Sequence, residues 1–564
     1  MNSAIVMSNR PKSLHALTSL RFLAAVVIVI HHSKGMFGLD SLWLQDLPTA
    51  QPVSFFFVMS GFIMAYVYPS LDSRKDISRF LLARLARIWP LHFATFLLVL
   101  IVLPSDLRNP SGHDSVAHIL TNLMMVHSWI PIWNYYFSYN WLSWAVATEF
   151  AFYLVFPVLL KSWRRTWHIK LLLTFLTAAA IIHYANAARL PSGEAVGNWN
   201  QMGYSGLVYI GPLGRLFEFT LGMALALMYP WFAIVFHPGK VSGTIIESAV
   251  LALVVVVMFF CPSIHDISRN FPWIGESGGK WLVIGGGPGV FYGALILVMA
   301  AEKGMFSKLL ARKSLRSLGE MSLSIFLLHQ ILIRYYQWRI ENVTNLPEWL
   351  IYGYLWIVLL LGAYLLMMIV EHPCRQFILG LDRSGLKYTL VNRAVLSAGA
   401  SLGLLLMVMI YYFNGTLTPK NAIDPTTAAK IIDNSDKRYH QVQFGKKFQL
   451  RSADFAESAD NLKLRLIWES LESLHLKYTV AVHVLDADKE MLFHTDYSQN
   501  RGEILVPNHT NWLEETRLAK EQLQKAKCIG IVIYSGKASE VLHPDRGERD
   551  WNNQRLIIAL PGKG

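Results

Sequence analysis

The stretch "RFLAAVVIVIHHSK" (residues 21–34) decides the fold class, because an apolar run suited to a membrane carries polar residues at both ends. A helix needs about 20 apolar residues to cross a hydrocarbon core of about 30 Å. Arg21 and His32 are eleven residues apart, which places them about 20° apart around a helix and about 16 Å apart along it. They therefore share one face of the first predicted span at two different depths.

Polar residues at such depths usually face the interior of a helix bundle and mark a functional path. A buried polar contact between helices is the alternative explanation for Arg21 and His32. His31 lies about 100° further round the helix, where a packing role is the better interpretation.

The composition places most of the chain in a membrane, since 53% of its 564 residues are hydrophobic and only 16% are charged. Apolar windows of roughly 17–22 residues recur from residue 18 to residue 413 and then stop. We predict eleven spans, which fall near residues 18–35, 53–68, 89–103, 142–160, 171–187, 208–228, 244–261, 282–300, 318–336, 349–370 and 394–413. The stretch 116–131 is helical in pattern but short, and is predicted to be a re-entrant or surface helix.

The formal net charge of +13 comes entirely from the membrane part, because residues 421–564 hold 20 basic and 20 acidic residues. With the N-terminus in the cytoplasm, the predicted inner segments hold 21 Lys and Arg and the outer loops hold six. The positive-inside rule explains this distribution, so no nucleic-acid partner is expected. An odd number of spans then places the C-terminal part outside the cytoplasm.

The C-terminal part changes its pattern to short β-rich runs such as "KYTVAVHVLD" and "IGIVIYSG". Such runs, separated by polar turns, predict a β-sandwich. The charged stretch "WLEETRLAKEQLQKAK" (512–527) is predicted to form one helix. Four aromatic residues are candidates for stacking on a saccharide or for the core: Trp468, Tyr478, Trp512 and Trp551.

The glycine run "GGGPG" (285–289) predicts a kink in a span, because no phosphate-loop lysine follows it. Several other motifs follow Arg21 and His32 in a fixed order. Together the motifs resemble the acyltransferase 3 family of integral-membrane O-acyltransferases over roughly residues 14–375. The segments that carry this resemblance are "FFFVMSGFIM" (55–64), "RLARIWP" (84–90), "WAVATEFAFYLVFP" (144–157), "GRLFEFTLGMALA" (214–226), "LGEMSLSIFLLHQ" (318–330) and "VEHP" (370–373).

Within these motifs, packing is the preferred role for Ser60 and Gly61, and catalysis is the minority one. Arg215 and Glu218 are spaced for an ion pair within one helix. Glu371 is expected to cap and orient a helix end. Ala145 stands where the family often has a serine, so that hydroxyl is absent or comes from elsewhere, with Ser143 as a candidate.

The resemblance implies that His32, Arg21, Glu149 and His329 form the catalytic group. It also implies that Arg84 and Arg87, with Arg21, bind the nucleotide end of acetyl-CoA, whose phosphate oxygens suit guanidinium groups. His32 either takes a proton from the attacking hydroxyl or accepts the acetyl group itself. No metal and no permanently bound cofactor are expected, and acetyl-CoA is the donor substrate.

The expected architecture is an α-helical polytopic membrane protein, a ten-span acyltransferase core plus one extra span, with a C-terminal extracytoplasmic β-sandwich domain. Its predicted parts are a membrane acyltransferase domain (1–390), an additional span (391–413), a linker (414–440) and the β-sandwich-like domain (441–564). The expected function is O-acetylation of a cell-surface or exported polysaccharide, or of its lipid-linked precursor, at the bacterial inner membrane. Polysaccharide biosynthesis or export proteins are expected partners besides the carbohydrate acceptor and the lipid bilayer. A transporter or flippase, or a scaffold in a polysaccharide-export assembly, is the alternative, because buried Arg, His and Glu also line transport paths.

Overall fold

The structure is a computed structural model, and it divides into a helical unit and a strand-rich unit. It describes residues 13–34, 36–37, 49, 51–109, 114–193, 200–339, 347–379, 422–433, 441–445, 447–457, 461–471, 474–476, 478–498, 504–506, 509–520, 523–535, 541–550 and 554–561. The eleventh predicted span, 394–413, and the whole of the predicted additional-span part, 391–413, lie outside these residues.

Seventeen described helices precede the strand-rich unit. They are α1 (His15–His32), α2 (Pro52–Val67), α3 (Arg74–Val102), α4 (Ser105–Arg108), α5 (Val116–Leu123), α6 (Trp133–Tyr136), α7 (Ser143–Leu160), α8 (Trp163–Ala187), α9 (Pro212–Val235), α10 (Lys240–Ser268), α11 (Gly275–Ile284), α12 (Gly289–Ala300), α13 (Met305–Leu310), α14 (Lys313–Glu320), α15 (Ser322–Arg339), α16 (Glu348–Leu366) and α17 (His372–Ile378). A 3₁₀ turn at His127–Trp129 and π-helical turns at Gly206–Ile210 and Met367–Glu371 complete this set.

Eight helical segments among the described residues are long and apolar enough to cross a membrane. They are His15–His32, Arg74–Val102, Ser143–Leu160, Trp163–Ala187, Gly206–Val235, Lys240–Ser268, Gly275–Ala300 and Glu348–Ile378. The shorter apolar helix α2 lies at the second predicted span. The helical architecture is therefore as the sequence predicts, whereas eleven remains a predicted number of spans.

Helix α3 begins fifteen residues before the predicted third span, at Arg74 rather than at residue 89. The Ser73 hydroxyl accepts a hydrogen bond from the Asp76 N–H, and the Asp76 carboxylate accepts one from the Ser73 N–H. This capping box satisfies donors of the first turn and starts the helix there. As a result Arg84 and Arg87 lie inside α3, on the same rigid element as the apolar run that follows.

Two interruptions in the apolar pattern have the predicted form. Residues 116–131 contain only the short α5 and a 3₁₀ turn, which excludes a spanning helix there. The glycine run divides α11 from α12, where a β-carbon at Gly286 would lie 2.1 Å from the Trp281 ring.

Helices α2 and α9 pack with their backbones in close contact. A β-carbon on Gly61 would lie 1.9 Å from the Phe219 carbonyl oxygen, and one on Gly222 would lie 1.9 Å from the Val58 carbonyl oxygen. Only glycine allows this approach from both sides. The packing role predicted for Gly61 is therefore confirmed, and the contact fixes α2 as one wall of the site described below.

From residue 422 onward, the described residues form one helix, α18 (Pro425–Asp433), and thirteen strands. The strands are β1 (Ala422–Ile423), β2 (Val442–Phe444), β3 (Phe448–Glu457), β4 (Asn461–Ser470), β5 (Leu474–Leu476), β6 (Tyr478–Leu485), β7 (Met491–Ser498), β8 (Ile504–Val506), β9 (Asn511–Ala519), β10 (Cys528–Ser535), β11 (Val541–Leu542), β12 (Arg549–Asp550) and β13 (Arg555–Ala559).

These strands form two larger antiparallel sheets and one small pair. The first sheet has the order β1-β9-β4-β3-β2, the second has the order β12-β13-β10-β6-β7 with β11 beside β10, and β5 pairs with β8. One hydrophobic core joins the two larger sheets, with Leu464 from one and Ile531 from the other. This is a β-sandwich, as predicted. Because β1 pairs with β9, part of the predicted linker belongs to this unit.

One sequence-based expectation for this unit is wrong, and for two tryptophans the structure decides between the two predicted roles. Residues 511–519 form strand β9 instead of a helix, and the buried residues Trp512, Glu514, Thr516 and Leu518 alternate with more exposed ones. Trp468 and Trp512 are 1% and 3% exposed and face each other across β4 and β9, so they belong to the core and not to a saccharide-stacking surface. Trp551 and the side chain of Tyr478 lie outside what the structure describes.

Candidate active site

A cavity of about 150 Å³ lies among α1, α2, α3, α7 and α15. Its lining includes four of the predicted site residues, Arg21, Arg84, Arg87 and Glu149. The remaining wall is largely apolar, so the charged groups face a space with little else to solvate them. The lining residues that complete this wall on α2 and α15 include Phe56, Phe57, Met64, Leu323 and Phe326.

Two hydroxyl groups hold the carboxylate of Glu149. Ser60 donates to Glu149 Oε1 over 2.8 Å, and the Tyr153 hydroxyl donates to the same oxygen from one helical turn further along α7. The Glu149 charge also acts on the Arg21 guanidinium electrostatically. These contacts fix a carboxylate opposite an arginine inside the bundle.

The hydroxyl that Ala145 cannot supply does not come from Ser143. Ser143 Oγ donates to the Asn140 carbonyl oxygen over 2.7 Å and lies 3.1 Å from His127 Nε2. Ser60, which the sequence places mainly in packing, makes the contact with Glu149 instead. The i, i+4 spacing of Glu149 and Tyr153 on one helix was the available signal for the second hydroxyl.

The Arg84 side chain is held between two aromatic rings. Its Nη2 donates to the Tyr68 hydroxyl over 3.2 Å, and its guanidinium carbon lies 5.5 Å from the Tyr68 ring centroid and 5.9 Å from the Phe80 centroid. Cation–π contacts of this kind orient a guanidinium group without neutralising it. Arg84 therefore keeps its charge available to an anion.

His32 and His329 form a direct pair, although they are 297 residues apart in the chain. His329 Nδ1 lies 3.0 Å from the Ile325 carbonyl oxygen, which can only accept, so Nδ1 carries the proton and Nε2 of the neutral ring is an acceptor. His32 Nδ1 lies 3.1 Å from that Nε2 and 3.0 Å from the Ile28 carbonyl oxygen, and its N–H donates to both. The neutral tautomer of His32 therefore has its lone pair on Nε2.

This tautomer is the form of histidine that can act as a base or a nucleophile through Nε2. Within the described residues, no hydrogen bond occupies His32 Nε2. The neighbouring His31 contacts a different partner, with its Nδ1 3.0 Å from Thr49 Oγ1.

Phe326 connects the cavity to the histidine pair. It lines the cavity, and its ring lies edge-on to the His329 ring with 6.1 Å between centroids. His32 and His329 themselves do not line the cavity. The predicted residues therefore form two neighbouring groups along α1 and α15, a charged cavity and an imidazole pair.

Arg215 and Glu218 form a separate structural contact. They make a two-pronged ion pair with both distances at 2.8 Å, and both side chains are fully buried. Ser54 accepts from Arg215 over 3.0 Å, and the Phe57 ring centroid lies 4.9 Å from the guanidinium carbon. The predicted intrahelical ion pair is confirmed, and it anchors α9 against α2.

The fold and the site define a multi-pass membrane protein whose helix bundle encloses a charged cavity beside an imidazole pair. The chain matches the acyltransferase domain of the acyltransferase 3 family over residues 14–372 and belongs to that family. It is an acyltransferase.

Curated relatives agree with this assignment. Acyltransferase MdmB of Streptomyces mycarofaciens is 26% identical over 411 residues, which cover 66% of this chain and 94% of that relative. O-acetyltransferase OatA of Staphylococcus aureus is 25% identical over 338 residues, which cover 57% of this chain and 51% of OatA. The chain thus spans about half the length of this staphylococcal relative. No solved structure matches the chain.

Proposed function

We propose that the protein transfers an acetyl group from acetyl-CoA to a hydroxyl group of a cell-surface or exported polysaccharide, or of its lipid-linked precursor. The observation that carries this proposal is the arrangement along α1 and α15, where an arginine-lined cavity lies beside an imidazole with a free lone pair. O-acetyltransferase activity in the name of the relative OatA supports the choice of acyl group and of a hydroxyl acceptor.

In this proposal Arg84 and Arg87 bind the phosphate groups of the donor, and the acetyl thioester extends through the cavity past Arg21. The positive-inside distribution of Lys and Arg supports a cytoplasmic N-terminus in a bacterial inner membrane. The cavity arginines then lie toward the cytoplasm, where acetyl-CoA is present, and His32 lies toward the outer side, where a glycan is present. Transfer of the acetyl group through the helix bundle explains why the charged cavity and the histidine pair are separate.

The chemical step is an acyl transfer from sulfur to oxygen. His32 Nε2 takes the proton of the acceptor hydroxyl as its oxygen forms a bond to the acetyl carbonyl carbon, and the carbon–sulfur bond then breaks. The coenzyme A thiolate leaves and takes up the proton from the imidazolium, so the imidazole is regenerated. Arg21 lies about 16 Å from His32 along the axis of α1 and positions the donor that extends past it toward the imidazole. The other order, in which His32 Nε2 first accepts the acetyl group, uses the same atoms.

Glu149 and His329 act through their neighbours. The carboxylate of Glu149, held by Ser60 and Tyr153, balances the charge of Arg21. His329 Nε2 accepts from His32 Nδ1 and stabilises the imidazolium that forms during transfer.

The test compares wild-type protein with the His32→Ala and His31→Ala variants in membranes that contain the cell's own glycans. Labelled acetyl-CoA is added, and label in glycan is counted. We expect His32→Ala to lose transfer at least 100-fold, the lower end of what general acid–base catalysis contributes, while His31→Ala stays within a few-fold of wild type. Equal transfer by wild type and His32→Ala would contradict the mechanism.

A deletion strain tests the acceptor class. Surface polysaccharide of normal length that lacks acetyl groups is the expected result. Complete loss of the polysaccharide would instead favour a transporter or scaffold.

A further inference from the structure

A second charged group lies where α17 and the π-helical turn before it pack against α3. The Arg375 guanidinium is within electrostatic reach of Arg84 and Arg87 and of the Glu371 carboxylate. Glu371 also acts on Arg21. Arg375 thus interacts electrostatically with the two arginines of α3, both of which line the cavity.

Two N–H donors of this charged group are not satisfied within the described part of the chain. Arg84 Nε and Arg375 Nε are buried atoms with no hydrogen-bond partner there. Glu371 Oε2 is likewise buried without a partner, although Glu371 and Arg375 are four residues apart, a spacing that normally allows an ion pair within a helix. A buried N–H without an acceptor costs free energy, which a bound anion would recover.

Two other arginines of the helical unit have an acidic partner. Arg215 is paired with Glu218, and Arg108 is paired with Asp114. Arg84, Arg87 and Arg375 instead repel one another, since like charges at short range in a poorly solvated place are unfavourable. A ligand with several negative charges relieves this repulsion and satisfies the free donors at the same time.

We propose that Arg375 joins Arg84 and Arg87 in a three-arginine site that binds the phosphate groups of the acyl-CoA donor. This inference rests on the proposed function and extends it, because Arg375 lies beyond residues 14–372, where the chain matches the family domain. Glu371 supplies a negative charge that acts on both Arg375 and Arg21. Guanidinium groups bind phosphate oxygens through paired N–H donors, so three of them suit a diphosphate better than a single phosphate.

The experiment measures binding of coenzyme A and of pantetheine, which lacks the phosphates, to the purified full-length protein in a maltoside detergent. Wild type is compared with Arg375→Gln, Arg375→Lys and the control Arg164→Gln, which removes an exposed arginine from the first turn of α8. We expect Arg375→Gln to weaken coenzyme A binding about 10- to 100-fold, as the loss of a charge-assisted pair of hydrogen bonds implies. Arg375→Lys keeps the charge but loses the paired donors, so its affinity for coenzyme A should fall between those of wild type and Arg375→Gln.

Pantetheine affinity should be the same in all four proteins, and the salt dependence of coenzyme A binding should be weaker in Arg375→Gln. A substitution that only lowered protein stability would not weaken the salt dependence of coenzyme A binding while leaving pantetheine affinity unchanged. Coenzyme A affinity at the wild-type level in both Arg375 variants would overturn this inference and leave the proposed function standing. Wild-type protein that does not bind coenzyme A would overturn both.

An anionic lipid headgroup offers the same phosphate chemistry. Phosphatidylglycerol is therefore titrated into the same four proteins. Loss of lipid binding in Arg375→Gln with unchanged coenzyme A binding would assign the site to lipid and overturn the inference.

Discussion

Replacement of His329 tests whether the histidine pair acts as a unit. His329→Leu removes the acceptor for His32 Nδ1–H but keeps a side chain of similar bulk in a fully buried position. His329→Gln is the matched variant, because the amide oxygen of glutamine can lie near the position of the lost Nε2. Only His329→Leu leaves the imidazolium of His32 without a side-chain acceptor for its Nδ1–H.

The size of the effect follows from the hydrogen bond that is lost. A hydrogen bond to a charged group contributes about 1.5–3 kcal/mol, and a loss of that size in the transition state slows a reaction about 10- to 150-fold. We expect His329→Leu to lower kcat by this factor and His329→Gln to recover part of it. KM for acetyl-CoA should not change in either variant, since His329 does not line the cavity that holds the donor.

The assay follows release of free coenzyme A thiol from acetyl-CoA in native membranes, with thermal unfolding of the purified variants as a control for folding. A kcat for His329→Leu within twofold of wild type would refute the role of the pair. A rise in KM with unchanged kcat would also refute it, because that result would assign His329 to donor binding.

Two further predictions concern stability. Burial raises the pKa of Glu514 to about 7 from 4.5, since only two indole N–H groups face its carboxylate. The extra stability of the protonated form is present below pH 4.5 and is lost as the pH rises to about 7, a change of about 3 kcal/mol. Hydrogen exchange in β4 and β9 of the whole protein should show this loss of stability. The Glu514→Gln variant should abolish the pH dependence, and Glu515→Gln should not. Gly61→Ala should destabilise the helical unit by about 1–3 kcal/mol or more, because its β-carbon would lie 1.9 Å from a backbone oxygen. Gly353→Ala, with no atom within 4 Å of the new carbon, is the control, and equal melting temperatures for both variants would contradict the packing argument.

The sequence predicted those features that depend on spacing along one helix. The position of Arg21 inside an apolar run identified it, and the resemblance to the acyltransferase 3 family added Arg87 and Glu149; all three line one cavity. The ion pair of Arg215 and Glu218 followed from their i, i+3 spacing. The predictions for Arg21 and for the ion pair need only helical geometry and the cost of a charge in a membrane.

The partners from distant parts of the chain could not be predicted in this way. The contact between His32 and His329 and the hydrogen bond from Ser60 to Glu149 depend on how helices pack, which a single sequence does not record. Arg375 resembled an ordinary basic residue after the last span of the core. Its relation to Arg84 becomes visible only when α17 lies against α3.

Strand β9 shows a different cause of error. Its alternation of buried and exposed residues has the period of a strand, but Glu514 occupies an inward position where an apolar residue is expected. The indole N–H groups of Trp468 and Trp512 donate to that carboxylate, which makes its burial tolerable. A buried acid therefore made a core strand resemble an exposed helix, and the same contact removed two aromatic residues from the candidate saccharide surface.

The separation of the two halves of the site has a consequence for the donor. Arg21 and His32 lie on one face of α1 about 16 Å apart along its axis, and the cavity holds the arginine end while the imidazole pair lies beyond it. A coenzyme A thioester has a strongly anionic head joined to its acyl group by a long uncharged arm. In the proposed function the arginines bind the head, and the apolar wall that includes Phe56 and Phe326 accommodates the arm. In this proposal, a thioester with a short arm could reach His32 only by leaving the arginines.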